Sequence, residues 1–199
     1  MNASRVRFSG YPAAMLKLLN YPHPALRGKC KPVTTLDESV RTAAARMVEL
    51  MYKNEGLGLA APQVGLDYQM IVINFDGDPK NKDMELVALN PVVAKVSKTI
   101  EKDREGCLSF PGLYQDIRRP KDVTVQFYTL AGQLQEMTCS GLAARIWQHE
   151  IDHLAGTLFI DKMGDIARKA SKKWLEQYVE DFEDDKKAGR LPPDLPKML

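Results

Sequence analysis

The sequence predicts one α+β domain. Three observations predict it: a capped amphipathic helix early in the chain, a middle third of short β-branched runs, and two more helices after them, without the βαβ alternation of a parallel sheet. At 199 residues and 44% hydrophobic, the chain can bury a core of its own. The domain is expected over residues 15–188. Residues 1–14 read as an N-terminal extension, native or added by cloning, since Met15 suits a start; residues 189–199 read as a tail.

The elements follow in order. Thr35 and Glu38 have capping-box spacing, and Val40, Ala44, Met47, Val48 and Met51 recur on one helix face until Gly56 ends the run. GLGLAAPQVG, residues 56–65, carries too much glycine and an internal proline for a regular element. Residues 69–75 and 86–96 are apolar and β-branched, the second run interrupted by Pro91. Residues 123–129 and 133–139 flank Ala131-Gly132 and read as a hairpin. Ser140 and Gly141 open a second helix, which carries QHEIDH (residues 148–153) and stops near Gly156. A third, strongly charged helix is expected over about residues 165–187, ending at Gly189 and Pro192.

Composition removes several function classes. With 28 basic and 26 acidic residues the net charge is +2, which gives no electrostatic reason for a specific nucleic-acid partner. No apolar run approaches the roughly 20 residues that span a bilayer, and the N-terminus lacks the charged-then-apolar pattern of a secretory signal. Three cysteines, Cys30, Cys107 and Cys139, are too few and of odd number for a disulfide framework. They suit a reducing compartment, where a functional cysteine is a ligand or a nucleophile.

Two of the three histidines, His149 and His153, stand four residues apart around Glu150. On a helix that spacing turns by about 40° and climbs about 6 Å, so both rings leave one face, as two corners of a tetrahedral ion require. Glu150 is then close enough to act on a metal-activated water without being a ligand, the HExxH arrangement. The plain alternative is two ordinary histidines on an amphipathic helix; the scarcity of histidine argues against it. His23, alone in YPHPAL, reads as a loop histidine.

Spacing alone leaves the third ligand open. A longer HExxHxxGxxH pattern begins, with Gly156 in place, but Phe159 stands where its third histidine belongs. Glu176 is a candidate for a zinc endopeptidase, although its acidic neighbours Glu180, Asp181 and Glu183 read as a solvated helix face. Cys107, in REGCLSFPG (residues 104–112), lies in a loop or strand end able to pack on the histidine helix. A thiolate with two imidazoles leaves a fourth position for water, the pattern of a catalytic site. A closed, purely structural site needs a fourth His or Cys at useful spacing, and none is evident. Cys30 and Cys139 read as inert thiols. Gly56-x-Gly58-x-x-Ala61, with Asp76 further on, imitates a dinucleotide fingerprint, but a helix precedes it and Pro62 and a strand follow, so that reading fails.

GLGLAAPQVG, EGCLS (residues 105–109) and QHEIDH occur in this order, and with them the chain resembles the peptide deformylase family from LLNYPHPALR (residues 18–27) to LFIDKM (residues 158–163). The resemblance implies hydrolytic removal of the formyl group from N-formylmethionyl nascent polypeptides, releasing formate. It implies antiparallel or mixed strands packed around a central HExxH-bearing helix, with an N-terminal and a C-terminal helix. By motif position it implies Cys107, His149 and His153 as metal ligands and Glu150 as general acid and base. Gln63 and the backbone N–H of Leu108 would face the formyl oxygen. One divalent ion is implied, ferrous iron in cells, with zinc, nickel or cobalt accepted.

In the same reading, main-chain groups of Leu57 and Gly58 pair with the substrate backbone as an added strand would, and an apolar pocket near Leu142 and Ile146 takes the methionine. Tyr114 stands where many relatives carry a basic residue, and Arg145, apolar in some relatives, is expected at the pocket rim. Glu105 and Arg119 are expected to pair. The expected partner is the formylmethionyl peptide, with no membrane and no specific nucleic acid. The last helix, basic over residues 168–173 and acidic from Glu176, is expected to be a solvated face that completes the fold, or else a ribosome-docking element. The compartment is the bacterial cytoplasm or an organelle of bacterial origin.

Overall fold

The computed structural model describes residues 16–191. The expected extension over residues 1–14, Met15, and residues 192–199 of the expected tail lie outside them. The first helix, α1 (Glu38–Lys53), is capped by Asp37 and not by Thr35: the Asp37 carboxylate accepts from the backbone N–H groups of Ser39 (3.0 Å) and Val40 (3.2 Å). Val40, Ala44, Met47 and Met51 are buried, and Val48 is half-buried at the edge of the stripe. The helix ends at Lys53, and Glu55 turns into the left-handed region just before Gly56.

The glycine loop contains more regular structure than its composition predicts. Gly58–Ala60 forms a short strand, β1, and Ala61–Val64 a 3₁₀ turn whose buried side chains fill the core. With β2 (Met70–Asn74), β3 (Glu85–Val96), β6 (Asp122–Tyr128) and β7 (Leu134–Ser140) it makes a five-stranded antiparallel sheet in the order β1-β2-β3-β6-β7. β3 shifts register between Leu89 and Val92, across Pro91, which has no N–H to give the ladder. The β6–β7 hairpin turns at Ala131-Gly132, where Gly132 has φ +75°.

Two helices sandwich this sheet. Along β2, Met70 and Val72 join the cluster under α1, while Ile71 and Ile73 join the cluster under α2 (Gly141–Leu154). Alternation every second residue thus buries both faces, and β2 reads in sequence as an unbroken apolar run. Trp147 anchors α2 on the sheet, 5.2 Å ring to ring from Phe127.

A second sheet was not legible: β4 (Ile100–Gly106) and β5 (Tyr114–Pro120) pair as a separate antiparallel hairpin. Phe110, Ile117 and Phe159 pack beneath it. The helix expected over residues 165–187 is two helices, α3 (Asp165–Ala170) and α4 (Lys172–Lys187). They part at buried Ser171, whose hydroxyl donates to the Ala167 carbonyl (2.8 Å), a local bond that competes with the helix ladder. The Tyr178 hydroxyl donates to Pro111 O (2.8 Å), and with Leu175 it packs α4 against the hairpin cluster. Among the described residues, no helix is long and apolar enough to cross a membrane.

Candidate metal centre

Cys107 follows directly on β4, and His149 and His153 project from α2, so two elements distant in sequence must dock before the three side chains meet. They do meet. His153 Nε2 lies 3.3 Å from Cys107 Sγ and 3.2 Å from His149 Nε2, and the three ligand atoms all lie within 4.8 Å of one another. Metal–nitrogen bonds of about 2.0–2.1 Å and a metal–sulfur bond of about 2.3 Å in a tetrahedron give edges of roughly 3.3–3.6 Å. The donor spacing therefore fits a bound divalent ion. Among the described residues this is the one place where His, Cys, Asp or Glu side chains converge at such spacing. Glu176 is elsewhere, exposed on α4 and paired with Lys172 at 3.6 Å, which removes it as third ligand.

Glu105 organises the shell behind the rings. It is buried, and His149 Nδ1 lies 2.7 Å from its Oε1, which puts that ring's proton on Nδ1 and turns the Nε2 lone pair toward Cys107 and His153. The expected Glu105–Arg119 pair is present as a two-pronged contact: Arg119 donates from Nε (2.8 Å) and Nη2 (2.6 Å). Arg119 also donates to Asp152 (2.7 Å), and Arg145 donates to Glu105 (3.1 Å). Burial works against the Glu105 charge, yet the hydrogen bonds from Arg119 and His149 hold its carboxyl well below the usual range.

Burial, then the neighbouring His149, hold the His153 pKa well below normal, which leaves a neutral ring with a lone pair to give. Burial acts in the same direction on His149, but the Cys107 sulfur, and then Glu105, push its pKa well above normal. The two rings thus shift in opposite directions, because a charge on one opposes a charge on the other. Glu105→Gln is expected to lower stability by about 3 kcal/mol, because it leaves buried guanidinium groups short of their anion. Denaturant unfolding of the two proteins checks it.

Glu150 faces the cleft one residue on. It is 4% exposed, its Oε2 has no hydrogen-bond partner among the described residues, and burial pushes its carboxyl up to about 7. Gly58 makes the room: a Cβ there would come within 2.5 Å of Glu150 Oε1 and 2.8 Å of its Cγ. The sequence explained this glycine by a bound peptide; packing against Glu150 is a second, independent reason.

Gln63 is buried with its amide fixed at both ends. Its Oε1 accepts from Ala60 N (2.8 Å), and its Nε2 faces Ser109 Oγ (3.2 Å) and Cys107 Sγ (3.4 Å). Leu108, Leu57, Gly58, Leu142 and Ile146 all line one cleft of about 640 Å³ that also reaches Cys107, His149 and Glu150. Ile146 is buried in its wall, and Leu142 is half exposed.

Arg145 is not a rim residue in the sense expected. It is 5% exposed and clasps the second sheet, donating to Ile117 O (3.0 Å) and Glu101 O (3.3 Å) besides Glu105. Tyr114 is exposed at the cleft, its ring against Gly106 and 5.2 Å from the Arg104 guanidinium. Sequence reasoning missed Asp152, Ser109 and the clasp by Arg145. Only the place of Asp152 inside QHEIDH, one turn from His149, offered a signal.

The remaining candidates are structural. His23 Nδ1 accepts from Ala25 N (3.2 Å) and caps the short turn Pro24–Arg27. Burial pushes the Cys30 thiol up to about 12 and raises that of Cys139, as inert thiols require.

The chain is similar to known proteins over most of its length. Residues 15–169 match the family model described as polypeptide deformylase. The chain is 40% identical over 169 residues to chloroplastic peptide deformylase 1B of rice, covering 85% of this chain. It is 40% identical over 165 residues to a peptide deformylase of Nitrosococcus oceani, covering 82% of this chain. It spans 62% of the rice protein's length and 96% of the Nitrosococcus protein's. A crystal structure of peptide deformylase from Plasmodium falciparum superposes with a TM-score of 0.82 at 36% identity, covering 84% of this chain and 98% of that one.

Proposed function

The chain belongs to the polypeptide deformylase family, and from that premise we propose that it hydrolyses N-formylmethionyl peptides to formate and a free N-terminus. Cys107, His149 and His153 would hold one divalent ion, ferrous iron in cells, with zinc, nickel or cobalt able to replace it. α2, which touches strands of both sheets, is the central helix in this reading. One observation carries it: a sulfur and two ring nitrogens from separate elements converge at ligand spacing in a cleft that Glu150 also lines.

An ion bound there supplies Lewis acidity, polarising a carbonyl and lowering the pKa of a water towards about 7. The protein does the rest. Glu150, buried and with an unpartnered oxygen, takes a proton from the attacking water and returns it to the leaving amine as the C–N bond breaks. Negative charge gathers on the formyl oxygen, where the Gln63 amide and the Leu108 backbone N–H donate to it. Losing one such donor costs on the order of 100-fold or more in rate. The Leu57 and Gly58 backbone aligns the peptide, and the wall at Leu142 and Ile146 receives the methionine side chain. Formyl is the smallest acyl group, and a site placed between the Gly58 backbone and Glu150 would exclude acetylated chains by crowding.

The plant and bacterial relatives suit a bacterial cytoplasm or an organelle of bacterial origin. Leu175 and Tyr178 account for α4 as part of the fold, and its solvated face, with the basic segment 168–173, is where a ribosome would dock.

The test is formate release from formyl-Met-Ala-Ser by anaerobically loaded protein with its metal content measured. One formate per peptide and no cleavage of acetyl-Met-Ala-Ser is expected; metal-loaded protein that releases none refutes the reading. Two further results are expected. Gly58→Ala displaces Glu150 and lowers kcat about 100-fold at unchanged metal content, since a misplacement of about 1 Å costs that much. Iron-loaded protein loses activity in air through oxidation at the Cys107 thiolate, while nickel-loaded protein keeps it; equal survival of the two preparations counts against a redox-active centre.

A further inference from the structure

The wall that receives the first side chain is not wholly apolar. Leu142, Arg145, Ile146 and His149 share the cleft-lining face of α2, and Arg145 is one turn, about 6 Å along the axis, from His149. In a formylmethionyl substrate the thioether sulfur is five bonds from the formyl carbon, roughly 6 Å when extended. A formyl carbon at the level of His149 therefore brings the sulfur to the level of Arg145.

Arg145 has donors to spare there. A guanidinium carries five N–H groups. The protein acceptors engage Nη1 twice, through Glu105 Oε2 and Ile117 O, and Nη2 once, through Glu101 O. The Nε–H and the second Nη2 N–H have no protein acceptor among the described residues, and Nε is not among the wholly buried atoms that lack a partner, so it is accessible from the cleft that Arg145 lines. A charged donor accessible from the cleft favours a side chain ending in an acceptor beside it, since such hydrogen bonds are stronger than neutral ones. The thioether is a weak acceptor; its oxidation product, the sulfoxide, is a strong one and a common lesion of methionine.

We propose that this cleft also takes N-formylmethionine sulfoxide at the first position, with Arg145 donating to the sulfoxide oxygen. The reaction is the same hydrolysis: water adds to the formyl carbon, the C–N bond breaks, formate leaves and the amine keeps a proton. The S–O bond is untouched, and no oxidant or reductant is consumed. The inference rests on the deformylase reading and deepens it, for an N-terminus already oxidised need not stay formylated.

The test compares kcat/KM of the metal-loaded enzyme for formyl-methionine sulfoxide-Ala-Ser, formyl-norleucine-Ala-Ser and formyl-Met-Ala-Ser. Wild type is expected to process the sulfoxide within ten-fold of methionine; a larger deficit overturns the proposal without any variant. Arg145→Leu is expected to lower the sulfoxide-to-norleucine ratio at least ten-fold, and Arg145→Lys, which keeps a donor, less than that. An unchanged ratio in both overturns it. Because Arg145 also clasps the second sheet, Arg145→Lys and the wild-type ratio decide if Arg145→Leu does not fold. Formate from neither methionine nor sulfoxide means the deformylase reading has failed; formate from methionine alone means that only this inference has.

Discussion

Glu150→Ala is expected to bind its metal and to release formate at least about 1,000-fold more slowly than wild type. The size follows from the loss of the group proposed to move a proton both ways, within the range of general acid–base effects. The metal stays because Glu150 is not among the three side chains at ligand spacing. Glu150→Gln is the stricter form, since it keeps the volume packed against Gly58 and removes only the ability to carry the proton. Formate assays beside metal analysis of both variants check it. Activity within ten-fold of wild type in either would remove Glu150 from the chemistry.

Cys107→Ser is expected to have the second large effect, and to have it on the metal. A serine hydroxyl is a poor ligand for a borderline-soft divalent ion where a thiolate is a good one. Loss of a supporting partner behind a ligand already costs 10–100-fold in affinity, so loss of the ligand itself is expected to cost more than about 100-fold, with activity lost in parallel. Titration of apo-protein with zinc against a competing chelator measures it. Glu176→Ala is the control: exposed and paired with Lys172, it should titrate as wild type does. The reverse pattern would restore an endopeptidase-like site.

Much of the scaffold could be read ahead of the structure because its local signals are strong. The stripe of α1 obeys the helical repeat, β2 is an unbroken β-branched run, Ala131-Gly132 marks the β6–β7 hairpin, and the two histidines declare themselves by scarcity and spacing. The β4–β5 hairpin does not. In IEKDREG charges face solvent on both sides, so no alternation marks a strand, and Glu105 looks like one more surface acid. Its burial depends on Arg119, Arg145 and His149, which lie 14, 40 and 44 residues away. Pairing with Arg119 could be guessed from charge; the convergence of all three could not. Cys107 shares that difficulty, since its place beside His153 is created by docking one sheet on a helix of the other. The break at Ser171 escaped because helix propensity runs straight through it and only a local side-chain bond marks the kink.

X-ray absorption by the zinc-loaded protein tests the central physical claim most directly. The account predicts a first shell with one sulfur at about 2.3 Å, two imidazole nitrogens at about 2.0–2.1 Å and a light atom from solvent. A shell without sulfur, or one with four protein ligands, would contradict it.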